Sequence, residues 1–312
     1  MIRVVPDRGD VGVRIDRVLL RHLRHIPGIT RNRVQRLIAA GAVLVNGRQV
    51  ARASARIAPG DDIAVHLPER RTHQPPSPEN LPVDVRYEDD RLLIVNKPAG
   101  QVSHPAFRHS SGTLLNALLA YARGAWTPAL VSRLDKGTSG LVLVAKTSDM
   151  HRAMQRLWQE TGIEKEYLTI VSGKPPRRGT IDLALDRDPW DARRVTARDR
   201  GGMPSITKFE RIRFVTIAPG RYLSLLRCRL ITGRMHQIRV HLAARGWPIV
   251  GDATYGVRYE GMDRQALHAW RLAFDDPARG ERVEVTAPPP GDMAAVLARF
   301  EVREVSEHGS QR

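Results

Sequence analysis

Residues 68–82, PERRTHQPPSPENLP, cannot belong to a packed core. Proline removes backbone donors and fixes φ, and the stretch has almost no apolar side chain to bury. A chain of 312 residues interrupted this way has to build two cores, a small one before the break and a large one after it. We expect a small unit over residues 12–70, a linker over 71–80, a large unit over 81–304 and a disordered tail over 305–312. The end of the chain, EVSEHGSQR, is too polar to dock firmly. No internal repeat is visible.

Inside the small unit, Ile15, Val18, Leu19 and Leu23 recur at helical spacing, with Arg14, Arg17, Arg21 and Arg24 on another face. A second helix is expected to start at the N-cap Thr30, bury Val34, Leu37 and Ile38, and stop at Gly41. Arg31, Arg33 and Arg36 give it a basic side. In AVLVNGRQV, the Asn46-Gly47 pair between β-prone runs predicts a hairpin, and APGDDIAV adds a turn and a strand.

The large unit mixes periods. DRLLIVNKPAG reads as a strand ended by Lys97-Pro98, and TLLNALLAYA as a helix. GLVLVAKT, KEYLTIVSG and RYLSLLRCRL are β-prone. In the last of these, Leu226, Cys228 and Leu230 alternate with Arg227 and Arg229, as a strand with one buried face requires. GRMHQIRVHLAARGWP fits a helix with Gly246 as its stop and Pro248 beyond. Many strands and few helices predict an α+β unit on a mixed, mostly antiparallel sheet, beside a small α/β unit.

Several classes of function drop out. No apolar run reaches the length of a membrane span, and MIRVVPDRGD holds no apolar signal core, so neither a membrane nor secretion is expected. Cys228 is the only cysteine, which excludes a disulfide framework and a cysteine zinc site and fits a reducing cytoplasm. The net charge of +17 favours a polyanionic partner, nucleic acid before others. Arginine outnumbers lysine. That is either compositional bias or a preference for RNA, whose phosphates and bases suit the planar guanidinium.

The chemistry concentrates in VSRLDKGTSGLVLVAKT. Asp135 sits between Arg133 and Lys136, so it is expected to stay ionised and to serve as a nucleophile or base rather than an acid. No second carboxylate stands near it for glycoside hydrolysis. His236 and His241 lack ligand spacing, so no metal is expected. The phosphate-binding loop patterns are absent, so no nucleotide cofactor is expected. Alone, each residue has a bland reading: Asp135 as a turn former beside Gly137, Tyr167 as a strand aromatic, Arg239 as a solvated helix residue.

Two resemblances change those odds. Residues 12–70, and TRNRVQRLIAAGAVLVNGRQV most of all, resemble the S4 RNA-binding domain. SRLDKGTSGLVLVAKT resembles the catalytic motif of the RluA family of pseudouridine synthases. LLIVNKPAGQVSHPA, KEYLTIVSG, ITGRMHQIRVHLAARGWPIVGDATYG and RQALHAWRLAF match further family segments in order over about residues 81–290. Ser132 and Met235 depart from the usual histidine and threonine or serine.

The resemblance implies an isomerase that converts uridine to pseudouridine without a cofactor. It also implies the roles: Asp135 as the catalytic carboxylate, Arg239 as its partner, Tyr167 against the uracil and near the C5 proton, and Arg133 in the space of the flipped nucleotide. Arg234 and Lys97 are expected at phosphates, and Arg31, Arg33 and Arg36 on RNA. Large-subunit ribosomal RNA is the expected substrate and a monomer the expected state. The rival readings are a tRNA enzyme, a catalytically silent RNA-binding or ribosome-assembly factor, and a nucleoside hydrolase. The sequence leaves the uridines modified, and attack at C1′ versus proton removal at C2′, open.

Overall fold

Helix α1, Ile15–His22, forms where the apolar spacing places it, with Ile15, Val18 and Leu19 buried along one side. Thr30 caps α2, Arg31–Ala39, by accepting a hydrogen bond from the Arg33 amide, and Val34, Leu37 and Ile38 join the core that α1 and the sheet share. Four strands complete this unit: β1 (Ile2–Val4), β2 (Val43–Val45), β3 (Arg48–Gln49) and β4 (Ile63–Val65), in the antiparallel order β1-β4-β2-β3. The β2–β3 turn has φ of 50° at Asn46 and 75° at Gly47, the two positive values a tight hairpin needs. The computed structural model describes residues 1–67, 75–105, 109–191, 193–198 and 201–307, without side chains beyond residue 300. It divides at Pro75 into two units.

The small unit also holds a buried acid that its sequence pattern does not announce. Asp16 is fully buried, yet it meets Arg14 at 3.0 Å, Arg31 at 3.3 Å and Gln35 at 3.1 Å. The Arg14 bond leads the stabilisation of the charged form, and the carboxyl is pushed down to about 2. Arg31, expected to be free for RNA, is therefore partly committed inside the unit.

The large unit is built on a ten-stranded sheet. In chain order its elements are β5 (Val85–Glu88), β6 (Leu92–Lys97), α3 (Leu114–Ala122), β7 (Ala129–Leu130), β8 (Ser139–Ala145), α4 (Ser148–Gln159), β9 (Glu164–Ser172) and β10 (Arg178–Asp182). There follow β11 (Ala184–Arg187), β12 (Val195–Arg198), β13 (Ile206–Ala218), β14 (Arg221–Leu230), α5 (Gln237–Ala244), β15 (Leu267–Asp275), β16 (Arg282–Thr286) and α6 (Gly291–Glu307). The sheet runs β10-β13-β14-β9-β15-β8-β6-β5, with β16 on β15 and β7 on β8; β11 and β12 form a separate hairpin. Among the described residues these strands pair antiparallel, except β15 with β8. The alternation read in RYLSLLRCRL is present: Leu226, Cys228 and Leu230 are buried in the core while Arg229 is exposed.

Part of the expected linker is not free. Asn116, in the first turn of α3, donates to Ser77 O at 2.7 Å, and Glu79 accepts from the Gly112 amide at 2.8 Å. Residues 71–74 of that linker lie outside the described residues. At the other end α6 runs through Glu307, so three residues expected in the tail are helical, and residues 308–312 lie outside the described residues. Among the described residues no helix is long and apolar enough to cross a membrane.

The parallel β8–β15 pairing depends on Gly140. Its φ is 114°, and a Cβ there would lie 2.2 Å from Ala269 O. Backbone on both sides leaves nothing to give way. Gly140→Ala is expected to lower stability by more than about 3 kcal/mol, through left-handed strain and overpacking together. Denaturant unfolding measures this; a loss below about 1 kcal/mol would show that the two strands can separate cheaply.

Candidate active site

The loop before β8 carries Asp135, and its backbone is pinned along its length. Ser132, which replaces the expected histidine, is buried and accepts a hydrogen bond from the Leu143 amide at 3.0 Å. Ser103 Oγ donates to Leu134 O at 2.8 Å and accepts from the Leu134 amide at 3.1 Å. Lys136 O accepts from the Gly100 amide at 2.8 Å, and Gly137 O accepts from Arg264 at 3.0 Å. Gln265 donates to Thr138 Oγ1 at 3.1 Å. A Cβ at Gly137 would meet Gln265 Oε1 at 2.4 Å and push that side chain off Thr138. A carboxylate on such a loop is held in place before any ligand arrives.

Its charge partner comes from far along the chain. Arg239 on α5 donates from Nη1 to Asp135 Oδ2 at 2.9 Å. The same guanidinium donates from Nε and Nη2 to the two oxygens of Asp252, at 2.6 and 2.9 Å. Asp252 is almost wholly buried and also accepts from the Thr254 and Tyr255 amides at 2.8 and 3.1 Å. Burial pushes its carboxyl up, but Arg239 and the two amides outweigh this and hold it below the usual carboxylate range. Arg239 is thus a bridge between one buried acid and one that reaches the cleft. Adjacency in sequence makes Arg133 and Lys136 the expected cations at Asp135. The turn instead sends both side chains to solvent, and Arg239 and His236, the latter at 3.6 Å, face the carboxylate.

Helix α5 is set by its polar neighbours. Gln237 accepts from Thr232 Oγ1 and donates to Ile206 O and Thr207 Oγ1, and His241 bonds Thr207 Oγ1 and Leu183 O. His241 is therefore a satisfied core histidine.

The cleft around Asp135 is lined by Arg133, Tyr167, Arg234, His236 and Arg239, among others. Tyr167 rises from β9 and is buried; burial, and then the Asp135 charge, push its phenol up, so the hydroxyl keeps its proton. Arg133 and Arg234 are exposed at the rim. Met235, in place of threonine or serine, is also exposed.

Lys97 is not at the rim. It is fully buried, and its Nζ donates to Pro98 O, Gln101 O and Lys136 O at 2.7, 2.8 and 3.4 Å. Burial pushes its ammonium down to about 7. Its place is under the Asp135 loop, and no face of it is open to a phosphate. Arg33 and Arg36 lie along α2, and among the described residues their guanidinium groups donate only to the backbone carbonyls of Gly28 and Asn32. Asp252 and Tyr255 carry no role expected from sequence, although both fall within the GDATYG segment.

A family model for RNA pseudouridylate synthase matches residues 91–244, and an S4 domain model matches residues 13–63. The uncharacterized RNA pseudouridine synthase YlyB of Bacillus subtilis is 39% identical over 276 residues, 86% of this chain and 88% of that protein. The ribosomal large subunit pseudouridine synthase D of Xanthomonas campestris is 37% identical over 318 residues, 95% of this chain and 91% of that one. Among solved structures, human RNA pseudouridylate synthase domain containing 1 superposes with a TM-score of 0.56 at 29% identity, covering 68% of this chain and 85% of its own.

Proposed function

The chain belongs to the RNA pseudouridine synthase family, and on that footing we propose that Asp135 is the carboxylate that reacts with the uridine and that the substrate is large-subunit ribosomal RNA. The enzyme is an isomerase: the C1′–N1 bond breaks and the same uracil rejoins through C5, with no net oxidation. One observation carries the assignment of Asp135. Arg239 holds its Oδ2, while Oδ1 has no hydrogen-bond partner among the described residues. That leaves one oxygen of an oriented carboxylate for C1′ or for the C2′ proton.

The neighbouring roles are carried over from the family, and the residues line the same cleft. The Tyr167 ring lies against the uracil, and its protonated hydroxyl acts as a donor. Arg133, exposed and without an ion-pair partner among the described residues, occupies the space the flipped nucleotide leaves. Arg234 meets a phosphate at the rim. The name of the Xanthomonas relative supports the ribosomal substrate. Mapping pseudouridine in ribosomal RNA and tRNA from cells with and without this protein tests it. Loss of sites from large-subunit RNA is expected, and loss only from tRNA would move the substrate.

The S4 unit supplies affinity and no chemistry in this reading. Changing Arg33 and Arg36 together to Ala is expected to weaken RNA binding. It should also flatten the salt dependence by about 0.7 to 0.9 log units per decade for each phosphate no longer neutralised. The single-turnover rate at saturating RNA should hold. An unchanged salt slope would reduce these side chains to solvation.

A further inference from the structure

His236 occupies the N-cap of α5, where serine, threonine, asparagine or aspartate would usually bond the helix amides. It makes no side-chain cap bond. Its backbone is left-handed, φ 55° and ψ 17°, a conformation few non-glycine residues adopt. The imidazole is turned into the cleft instead. Nε2 lies 3.6 Å from Asp135 Oδ2, the same oxygen that Arg239 meets at 2.9 Å.

The other ring nitrogen is already engaged. Nδ1 lies 3.0 Å from the Tyr255 hydroxyl, and that hydroxyl accepts from the Val195 amide at 2.8 Å. Among the described residues, Nδ1 is the acceptor within reach of the Tyr255 proton. With the phenol donating to Nδ1, the tautomer we assign, the imidazole proton sits on Nε2, aimed at Asp135. The charged groups facing the ring are Asp135, Asp252 and Arg239. Burial leads in pushing the imidazole below its usual range, Arg239 adds to this, and the two acids oppose it. The neutral ring then has one proton to offer, and its direction is set.

We propose that His236 is a positioning residue for the isomerisation: its Nε2–H joins Arg239 in holding Asp135 Oδ2, so that Oδ1 is presented to the uridine. This rests on Asp135 being the reacting carboxylate. A single donor leaves the carboxylate free to turn about its Cβ–Cγ bond; two donors on one oxygen remove that freedom. The 3.6 Å gap is longer than a hydrogen bond and closes by a few tenths of an ångström when RNA fills the cleft, as catalytic hydrogen bonds commonly tighten on substrate binding.

The test uses the full chain and a large-subunit ribosomal RNA transcript under single-turnover conditions. His236→Asn suits the left-handed backbone and keeps a polar group near Nδ1, but cannot reach Asp135. His236→Gln extends an N–H to where Nε2 was. The Asn variant is expected to react about 10- to 100-fold more slowly, with RNA affinity and melting temperature unchanged, and the Gln variant to recover most of the rate. Tyr255→Phe should slow the reaction alone and add nothing to His236→Asn, because both break one relay. Wild-type rate in the Asn variant, or equal losses in Asn and Gln, would overturn the proposal. If Asp135→Asn is inactive while His236→Asn is at full rate, only the role of His236 fails; an active Asp135→Asn protein would overturn both.

Discussion

Purified Asp135→Asn protein is expected to fold, to bind RNA with unchanged affinity and to form pseudouridine at less than about a thousandth of the wild-type rate. The amide keeps the shape of the carboxylate and can still accept from Arg239. It has no negative charge with which to attack C1′ or take a proton from C2′. The side chain is only partly buried, so stability should move little. Nucleoside analysis of digested RNA after single turnover reads the rate, and thermal unfolding reads the fold. Appreciable turnover by an uncontaminated Asn variant would remove Asp135 from the chemistry.

Replacing Arg239 with Ala is expected to cost both activity and stability. Asp135 loses its orienting donor. Asp252, fully out of solvent, loses two of its four donors and becomes a buried charge without a cation. Breaking a buried pair in this way costs about 3–5 kcal/mol.

That cost depends on pH. In the wild type the folded Asp252 carboxyl lies below its unfolded value. Its contribution is therefore present above the unfolded value and is lost as pH falls through the folded one. In the variant, burial without Arg239 raises the carboxyl, so the penalty is full at neutral pH and is relieved as the group protonates. The stability gap between the two proteins should narrow from about pH 7 toward pH 4. A constant gap would mean that Arg239 acts there through packing alone.

Local pattern carried much of this architecture. Helix α2 starts at Thr30 because a hydroxyl can cap it, and β14 alternates because one of its faces is buried. Both causes lie within a few residues and can be read from spacing. The site is another matter. Asp135 and Arg239 are 104 positions apart, and only the closing of β8 beside β15 and the seating of α5 bring them together.

Sequence adjacency misled at Arg133 and Lys136, since a tight turn separates neighbouring side chains rather than gathering them. It misled at Lys97 as well. A lysine ending a strand is ordinarily solvated, and three carbonyls converging on its ammonium from two loops leave no mark in NKPAG. Asp252 gave no signal of its own, because its role exists only through the arginine it holds. Arg31 was read as surface charge although Asp16, which claims part of it, stands in the preceding helix.

The most direct measurement follows the hydrogen at C5. Large-subunit ribosomal RNA transcribed with uridine tritiated at C5 is incubated with the purified 312-residue chain. Forming the C1′–C5 bond expels that hydrogen and keeps the base on the RNA. Stoichiometric release of tritium into water is expected, with no free uracil, and with no release by the Asp135→Asn variant. Tritium retained in the transcript throughout, or uracil freed from it, would contradict an isomerisation carried by this carboxylate.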